Sequence, residues 1–312
     1  MGLAVLLGCL PASQTPPDTE YRFDSSLAWA SLLKQCSFGP RVPGTDAQVQ
    51  CRDYILQQAQ QWGENVRLQP FEHNWTVTRS NLKMWNVIAE QNYRTAAHRI
   101  LILTHYDSRP FADQEEEPTL RNKPILGAND GASGVAVQLE LMRIMKDHLP
   151  KDVGVLYLFV DGEDLGPDDD EMYLGAVAYA KDFAGGPKPD YGILLDMVGG
   201  NPVSFPIEDN SNVFCPELTK AFYDQMASAG LGLYFPQKVG YRIIDDHIKI
   251  NEAGVPCIDL ISFDYKPWHT TKDTPENCSE ASLKIIGHAM ENWLRFGKYT
   301  KPNPLTQLAR RN

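Results

Sequence analysis

Apolar runs in this 312-residue chain end repeatedly in acids or histidines. The run 153–160 is followed by Glu163 and Asp164, and the run 99–104 leads into His105 and Asp107. The run 191–195 ends at Asp196, and the last apolar run, 255–261, precedes Trp268 and His269. Asp130 sits in a Gly-rich turn ahead of a helical pattern, and Asp245, Asp246 and His247 stand before a short helix. Adjacent acids at the end of a core strand repel each other and resist desolvation. Alone, such a pair reads as solvated surface. Repeated on successive loops, it reads as a site where one acid holds a cation and its neighbour moves protons.

Carboxylates and imidazoles without a cysteine cluster suit zinc, with manganese the second choice. A catalytic zinc keeps three protein ligands and one open position. Asp130, Asp164 and His269 supply three, which leaves Glu163 as the general base. Asp245 is expected to face the site and to share a proton with Glu163 and Asp196. Asp246 and His247 read as structural, with Asp246 the N-cap of the short helix. Trp268 either walls a small pocket or packs in the core.

The elements that must position these residues alternate. Helices are expected at 25–36, 46–62, 135–146, 173–183, 216–229, up to 252 and at 279–295, with Leu27, Leu32 and Leu33 facing inward on the first. Strands are expected at 67–77, 84–90, 99–104, 153–160, 191–195 and 255–261. The charged stretch 113–123 reads as an exposed loop. Apolar strands between helices give an α/β fold: a single domain with a mixed, mainly parallel central sheet and helices on both faces. Ligands bind outside the carboxyl ends of the strands in such sheets, which is where the polar residues converge.

The net charge of −11 argues against nucleic acid or an anionic membrane as partner. No stretch approaches the roughly 20 apolar residues of a membrane span. Residues 1–20 read as a flexible or signal-like N-terminus, with Leu6-Leu7-Gly8-Cys9 similar to a lipobox and Cys9 a candidate lipid anchor. Residues 21–298 form the expected domain and 299–312 a tail. Cys36 and Cys51 could pair in an oxidising compartment or stand as buried thiols. The expected setting is extracytoplasmic, and the expected state a monomer.

The ordered set His105-Tyr106-Asp107, Asp130-Gly131-Ala132-Ser133-Gly134, Glu163-Asp164, Asp196 and His269 resembles the zinc aminopeptidase superfamily. Within it, three stretches most resemble the glutaminyl-peptide cyclotransferases in their bacterial form: the Asn-Asp turn ending Pro124 to Gly134, Ile244-Asp245-Asp246-His247, and Trp268-His269-Thr270. The resemblance implies one zinc per chain on Asp130, Asp164 and His269, with Glu163 as general acid/base and Asp245 and Asp196 in a carboxylate network. It places His105 and Asp107 at first-site metal positions left without metal, and His105 and Trp268 beside substrate. The implied substrates are N-terminal glutaminyl peptides, cyclised with release of ammonia. Departures from the animal enzymes are Asp164 in place of Glu, no cysteine near the His105 motif, no tryptophan in the loop after Asp164, and a shorter 263–267. The rival reading is a two-zinc aminopeptidase, with His105 and Asp196 on the first zinc and Asp130 bridging. A catalytically silent binding domain on the same scaffold is disfavoured by the intact Glu163.

Overall fold

A computed structural model describes residues 20–297. In chain order the elements are α1 (Ser25–Cys36), α2 (Asp46–Trp62), β1 (Glu64–Trp75), β2 (Ser80–Gln91), β3 (His98–His105), α3 (Ala132–His148) and β4 (Val153–Val160). They continue as α4 (Leu174–Ala180), β5 (Tyr191–Asp196), α5 (Asp209–Phe214), α6 (Pro216–Ser228), α7 (Asp246–Glu252), β6 (Cys257–Ile261) and α8 (Glu280–Phe296). The six strands form one sheet in the order β1-β2-β4-β3-β5-β6. β1 and β2 pair antiparallel, as do β2 and β4, while β3 pairs parallel with β4 and β5, and β5 with β6. The expected mixed, mainly parallel sheet is borne out.

β4, β5 and β6 are buried along their whole length and β3 from Ile100 onward, and the central strands divide their side chains between two cores. Ile100 and Ile102 of β3, with Val155, Tyr157 and Phe159 of β4, face the core under α1, α2, α3 and α8. Leu101 and Leu103, with Leu156, Leu158 and Val160, face the smaller core under α4 and α7. This is the period-2 alternation of a strand covered on both faces.

Two glycines explain the Asp-Gly-Ala-Ser-Gly turn. A Cβ on Gly134 would overlap Thr104 Oγ1 of β3 and the carbonyl of Leu195, so only glycine lets α3 lie this close to the sheet. A Cβ on Gly131 would overlap the ring and carbonyl of His105. Ser133 Oγ donates to the Asn129 carbonyl at 2.5 Å and accepts the Val198 N–H at 3.1 Å, tying this turn to the segment after β5.

Several expectations need correction. On α1, Leu27 and Leu33 are 47% and 43% exposed, and the buried stripe is Ala28, Ser31, Leu32 and Gln35. The helix abuts α3 along that stripe, and Gln35 Nε2 donates to the Ala132 carbonyl at 3.1 Å, so a buried polar pair displaced the expected leucine face. α3 begins a turn earlier than the apolar pattern suggested, because Gly131 itself occupies the cap position. α5 was not anticipated: Glu208 builds it by accepting the N–H groups of Asn210 and Ser211 at 2.8 and 2.6 Å. The N-cap of α7 is Asp245, not Asp246; Asp245 Oδ1 accepts the Asp246 N–H at 2.6 Å. Cys36 and Cys51 are free thiols, burial pushing them up to about 11 and about 12. Cys9 and the tail beyond 298 lie outside the described residues.

Glu208 ties three segments together. It also accepts the Ile243 N–H at 2.9 Å and lies 3.3 Å from His247 Nε2. Burial acts against its charge, but the His247 contact and the backbone donors outweigh that and bring it down to about 2. A lowered carboxylate stabilises the fold above its unfolded value near 4.5, and the contribution fades as pH falls toward about 2. Glu208→Gln is therefore expected to lose about 2 kcal/mol at pH 7 in urea unfolding, with the gap shrinking below about pH 4. A gap independent of pH would contradict this role for the residue.

Candidate active site

The loops after β3, β4, β5 and β6 bring the acids and histidines to one edge of the sheet. His105 closes β3 and is buried. Its Nε2 lies 3.0 Å from Asp130 Oδ1 and 3.1 Å from Asp196 Oδ1, and its Nδ1 lies 3.6 Å from Asp107 Oδ1 and 3.8 Å from Glu163 Oε2. Burial resists a charge on this ring, but the contacts with Asp107, Asp130 and Asp196, reinforced by Glu163, hold it protonated well above the ordinary histidine range.

Asp107 sets the acidic pair. Its two carboxylate oxygens accept the N–H groups of Glu163 at 3.2 Å and Asp164 at 3.1 Å, so the backbone after β4 is held while both side chains are left for chemistry. Asp130 is oriented in the same way: Asp273 accepts the N–H of Asn129 at 2.9 Å and of Asp130 at 3.2 Å. The hydroxyl of Tyr265 holds Asp273 in turn, at 2.8 Å. The Asp130–Gly131 peptide is cis. Neither Asp273 nor Tyr265 carried a signal in the sequence beyond lying near His269.

Asp130, Asp164 and His269 form a candidate metal site, with one donor atom of each lying within 4.8 Å of the others. His269 Nε2 is 3.6 Å from Asp130 Oδ2 and 3.5 Å from Asp164 Oδ1. Asp164 Oδ2 is buried with no hydrogen-bond donor. A buried carboxylate oxygen in that condition is costly unless a cation meets it. Two carboxylates and an imidazole are a donor set that zinc accepts, so the residues fit the metal that the sequence suggested. His105, Asp130 and Asp196 form a second such group that shares Asp130.

The two acids of the pair differ. Glu163 is pushed well above the usual carboxylate range, first by burial and then by Asp164, Asp245 and Asp246, against the attraction of His105. Asp164 is raised by burial and by Asp130, against His269 and Arg109. Asp130 is lowered: burial resists its charge, but the contact with His105 and the fields of His269 and Arg109 outweigh that. Behind Glu163, Asp245 and Asp259 are pushed well upward by burial and by neighbouring acids, and Asp246 up to about 8. Burial among like charges disfavours the ionised form of each member of this inner group.

Trp268 stacks on His269 with ring centroids 4.1 Å apart, and Phe263 packs against Trp268 at 4.9 Å. The short 263–267 stretch therefore still places an aromatic beside the metal group. The sequence also missed Arg109 and Asp113. Arg109 Nη1 donates to Asp164 Oδ1 at 2.8 Å, and Asp113 Oδ1 lies 3.2 Å from His269 Nδ1. The stretch 113–123 is accordingly not wholly an exposed loop; Glu115 is also buried, accepting the Thr271 N–H at 2.9 Å.

If Asp107 holds the pair, Asp107→Asn should be costly, because an amide has one acceptor where two N–H groups must be met. The expected loss is about 2 kcal/mol or more in urea unfolding. A change under about 0.5 kcal/mol would show that the 163–164 turn stands without it.

Comparison with known proteins gives a consistent picture. Peptidase family M28 matches residues 86–294. The glutaminyl-peptide cyclotransferase of Boiga dendrophila is 26% identical over 294 residues, covering 80% of this chain and 76% of that protein. The glutaminyl cyclase of Bacteroides thetaiotaomicron, solved bound to N-acetylhistamine, superposes with a TM-score of 0.84 at 32% identity, over 89% of this chain and 99% of that one. A Zn-dependent exopeptidase from Parabacteroides distasonis superposes with a TM-score of 0.83 at 31% identity, over 88% and 98%.

Proposed function

The chain belongs to peptidase family M28, and within it we propose that it is a zinc-dependent glutaminyl cyclase. It converts the N-terminal glutamine of peptides and proteins to pyroglutamate and releases ammonia. The observation that carries this reading is the buried His105, whose Nε2 lies 3.0 Å from Asp130 and 3.1 Å from Asp196. The cation demanded by those two acids is supplied by the chain itself, so the geometry favours one metal, at Asp130, Asp164 and His269.

When bound there, zinc supplies Lewis-acid polarisation of the γ-carboxamide oxygen. The remaining work belongs to side chains. Glu163, raised by burial and by its acidic neighbours, takes a proton from the α-amino group. The freed nitrogen forms a bond to the side-chain carbonyl carbon of the same residue, and the bond from that carbon to the amide nitrogen breaks. Glu163 returns the proton to the departing nitrogen, which leaves as ammonia. No water is consumed, so a second metal to activate one is unnecessary. Asp245, itself raised by burial and by Asp196, keeps Glu163 in the range where it can both accept and return a proton. Trp268 forms a wall that excludes bulk water from the ring-closing geometry.

The second reading is the two-metal aminopeptidase, which the shared Asp130 would permit. In either reading the chain acts on peptide N-termini. Among the described residues no helix is long and apolar enough to cross a membrane. An extracytoplasmic setting, the Cys9 anchor and a monomeric state are part of this proposal.

Incubation with a Gln-initiated peptide should give loss of one ammonia by mass spectrometry, with no amino acid released from a leucyl amide. Release of the N-terminal residue would establish the second reading instead. Glu163→Gln should lower turnover by at least about 10³-fold while zinc stays bound, since removing the proton carrier leaves the ligands in place. Loss of zinc from that variant would mean that the roles of Glu163 and Asp164 are reversed.

A further inference from the structure

Arg109 and Asp113 stand behind the metal group, and neither belongs to the ligand or proton-transfer set. Arg109 is 5% exposed, so its charge requires partners. Nη1 donates to Asp164 Oδ1 at 2.8 Å, while Nε and Nη2 donate to Asp113 Oδ2 at 3.0 and 2.7 Å. The other oxygen of Asp113 lies 3.2 Å from His269 Nδ1. One ion pair thus touches two of the three candidate ligands. Gly166, at φ +50°, leaves room for the guanidinium: a Cβ there would lie 3.0 Å from Nη1.

The backbone reinforces the arrangement. The Gln114 N–H donates to the His269 carbonyl at 3.1 Å, next to the Asp113 contact. Glu115 accepts the Thr271 N–H and hydroxyl. The segment 109–115 is therefore bound along the length of the histidine loop, and His269 is held in the left-handed region at φ +52°.

We propose that Arg109 and Asp113 are positioning residues that hold the Asp164 carboxylate and the His269 ring in the orientation a metal needs. Arg109 donates to Asp164 Oδ1, the oxygen 3.5 Å from His269 Nε2, and leaves Oδ2, which is buried without a donor, for a cation. Asp113 Oδ1, buried without a hydrogen-bond partner and 3.2 Å from His269 Nδ1, is placed to accept a proton there, which leaves Nε2 toward Asp130 and Asp164. The two have different consequences. Asp113 governs how tightly the imidazole binds zinc. Arg109 draws charge from Asp164, which would keep a bound ion a strong electrophile. The first inference concerns metal binding alone and does not depend on the reaction; the second rests on the cyclase reading only for its choice of substrate.

The test is zinc affinity by chelator competition, combined with turnover at saturating zinc, on Asp113→Asn, Arg109→Gln and Arg109→Lys. Each variant is first checked by thermal melting to be folded. Asp113→Asn is expected to weaken zinc about 10- to 100-fold and to recover parent kcat when zinc is in excess. Arg109→Gln is expected to keep a kcat at least about 10-fold low at saturating zinc, with Arg109→Lys between it and the parent. A role confined to folding would lower the melting temperature and leave both readouts of the folded fraction unchanged, which would overturn the proposal. Zinc affinities within threefold of the parent for Asp113→Asn, or full turnover by Arg109→Gln, would overturn the corresponding half. If the parent releases amino acids rather than ammonia, the cyclase reading fails, while the affinity measurement still decides the role of Asp113.

Discussion

The Asp107 carboxylate accepts two consecutive N–H groups, those of Glu163 and Asp164, and the working geometry of the site depends on that contact. It joins the end of β3 to the turn after β4, two strands paired in parallel along their full length. With the backbone fixed from beneath, two like-charged neighbours can point to different tasks. Asp164 turns toward Asp130 and His269, and Glu163 toward His105. Asp273 does the same for the turn carrying Asp130. Buried carboxylates thus serve here as acceptors for backbone donors, which places the ligands before any metal arrives.

Electrostatics then sorts the cluster into charged and protonated members. Asp130 lies between His105 and His269 and is held ionised, whereas Glu163, Asp245 and Asp259 see mostly other acids and low dielectric and are driven upward. Basic side chains are few at this edge: His105, His269 and Arg109 face it, and each is in contact with at least two carboxylates. On the proposed reading, the arrangement separates a metal-holding half from a proton-holding half at one edge of the sheet.

Much of this was legible in the sequence, for physical reasons. Strand ends are read from apolar runs, and a parallel sheet does its chemistry at the carboxyl ends of its strands, so the residues just after those runs are the candidates. Glu163, Asp164, Asp196 and His105 were accessible in this way. The glycines at 131 and 134 were visible as a motif, but the close approach of α3 to β3 that requires them was not. Side chains whose role depends on long-range contacts carried no local signal. Arg109 and Asp113 look like members of a charged loop until the fold brings His269 beside them. Asp245 was read as facing the site and Asp246 as the cap, yet Asp245 makes the cap contact itself, since one carboxylate oxygen suffices for it. Leu27 and Leu33 show the opposite failure: an apolar stripe lost to a buried polar contact through Gln35.

The central claim is that a cationic His105 replaces one metal and a single zinc occupies the other group. X-ray diffraction from crystals of the zinc-loaded protein, recorded on both sides of the zinc absorption edge, tests it directly. One anomalous peak is expected at this edge of the sheet, between Asp130, Asp164 and His269. A second peak of comparable height between His105, Asp130 and Asp196 would contradict the claim.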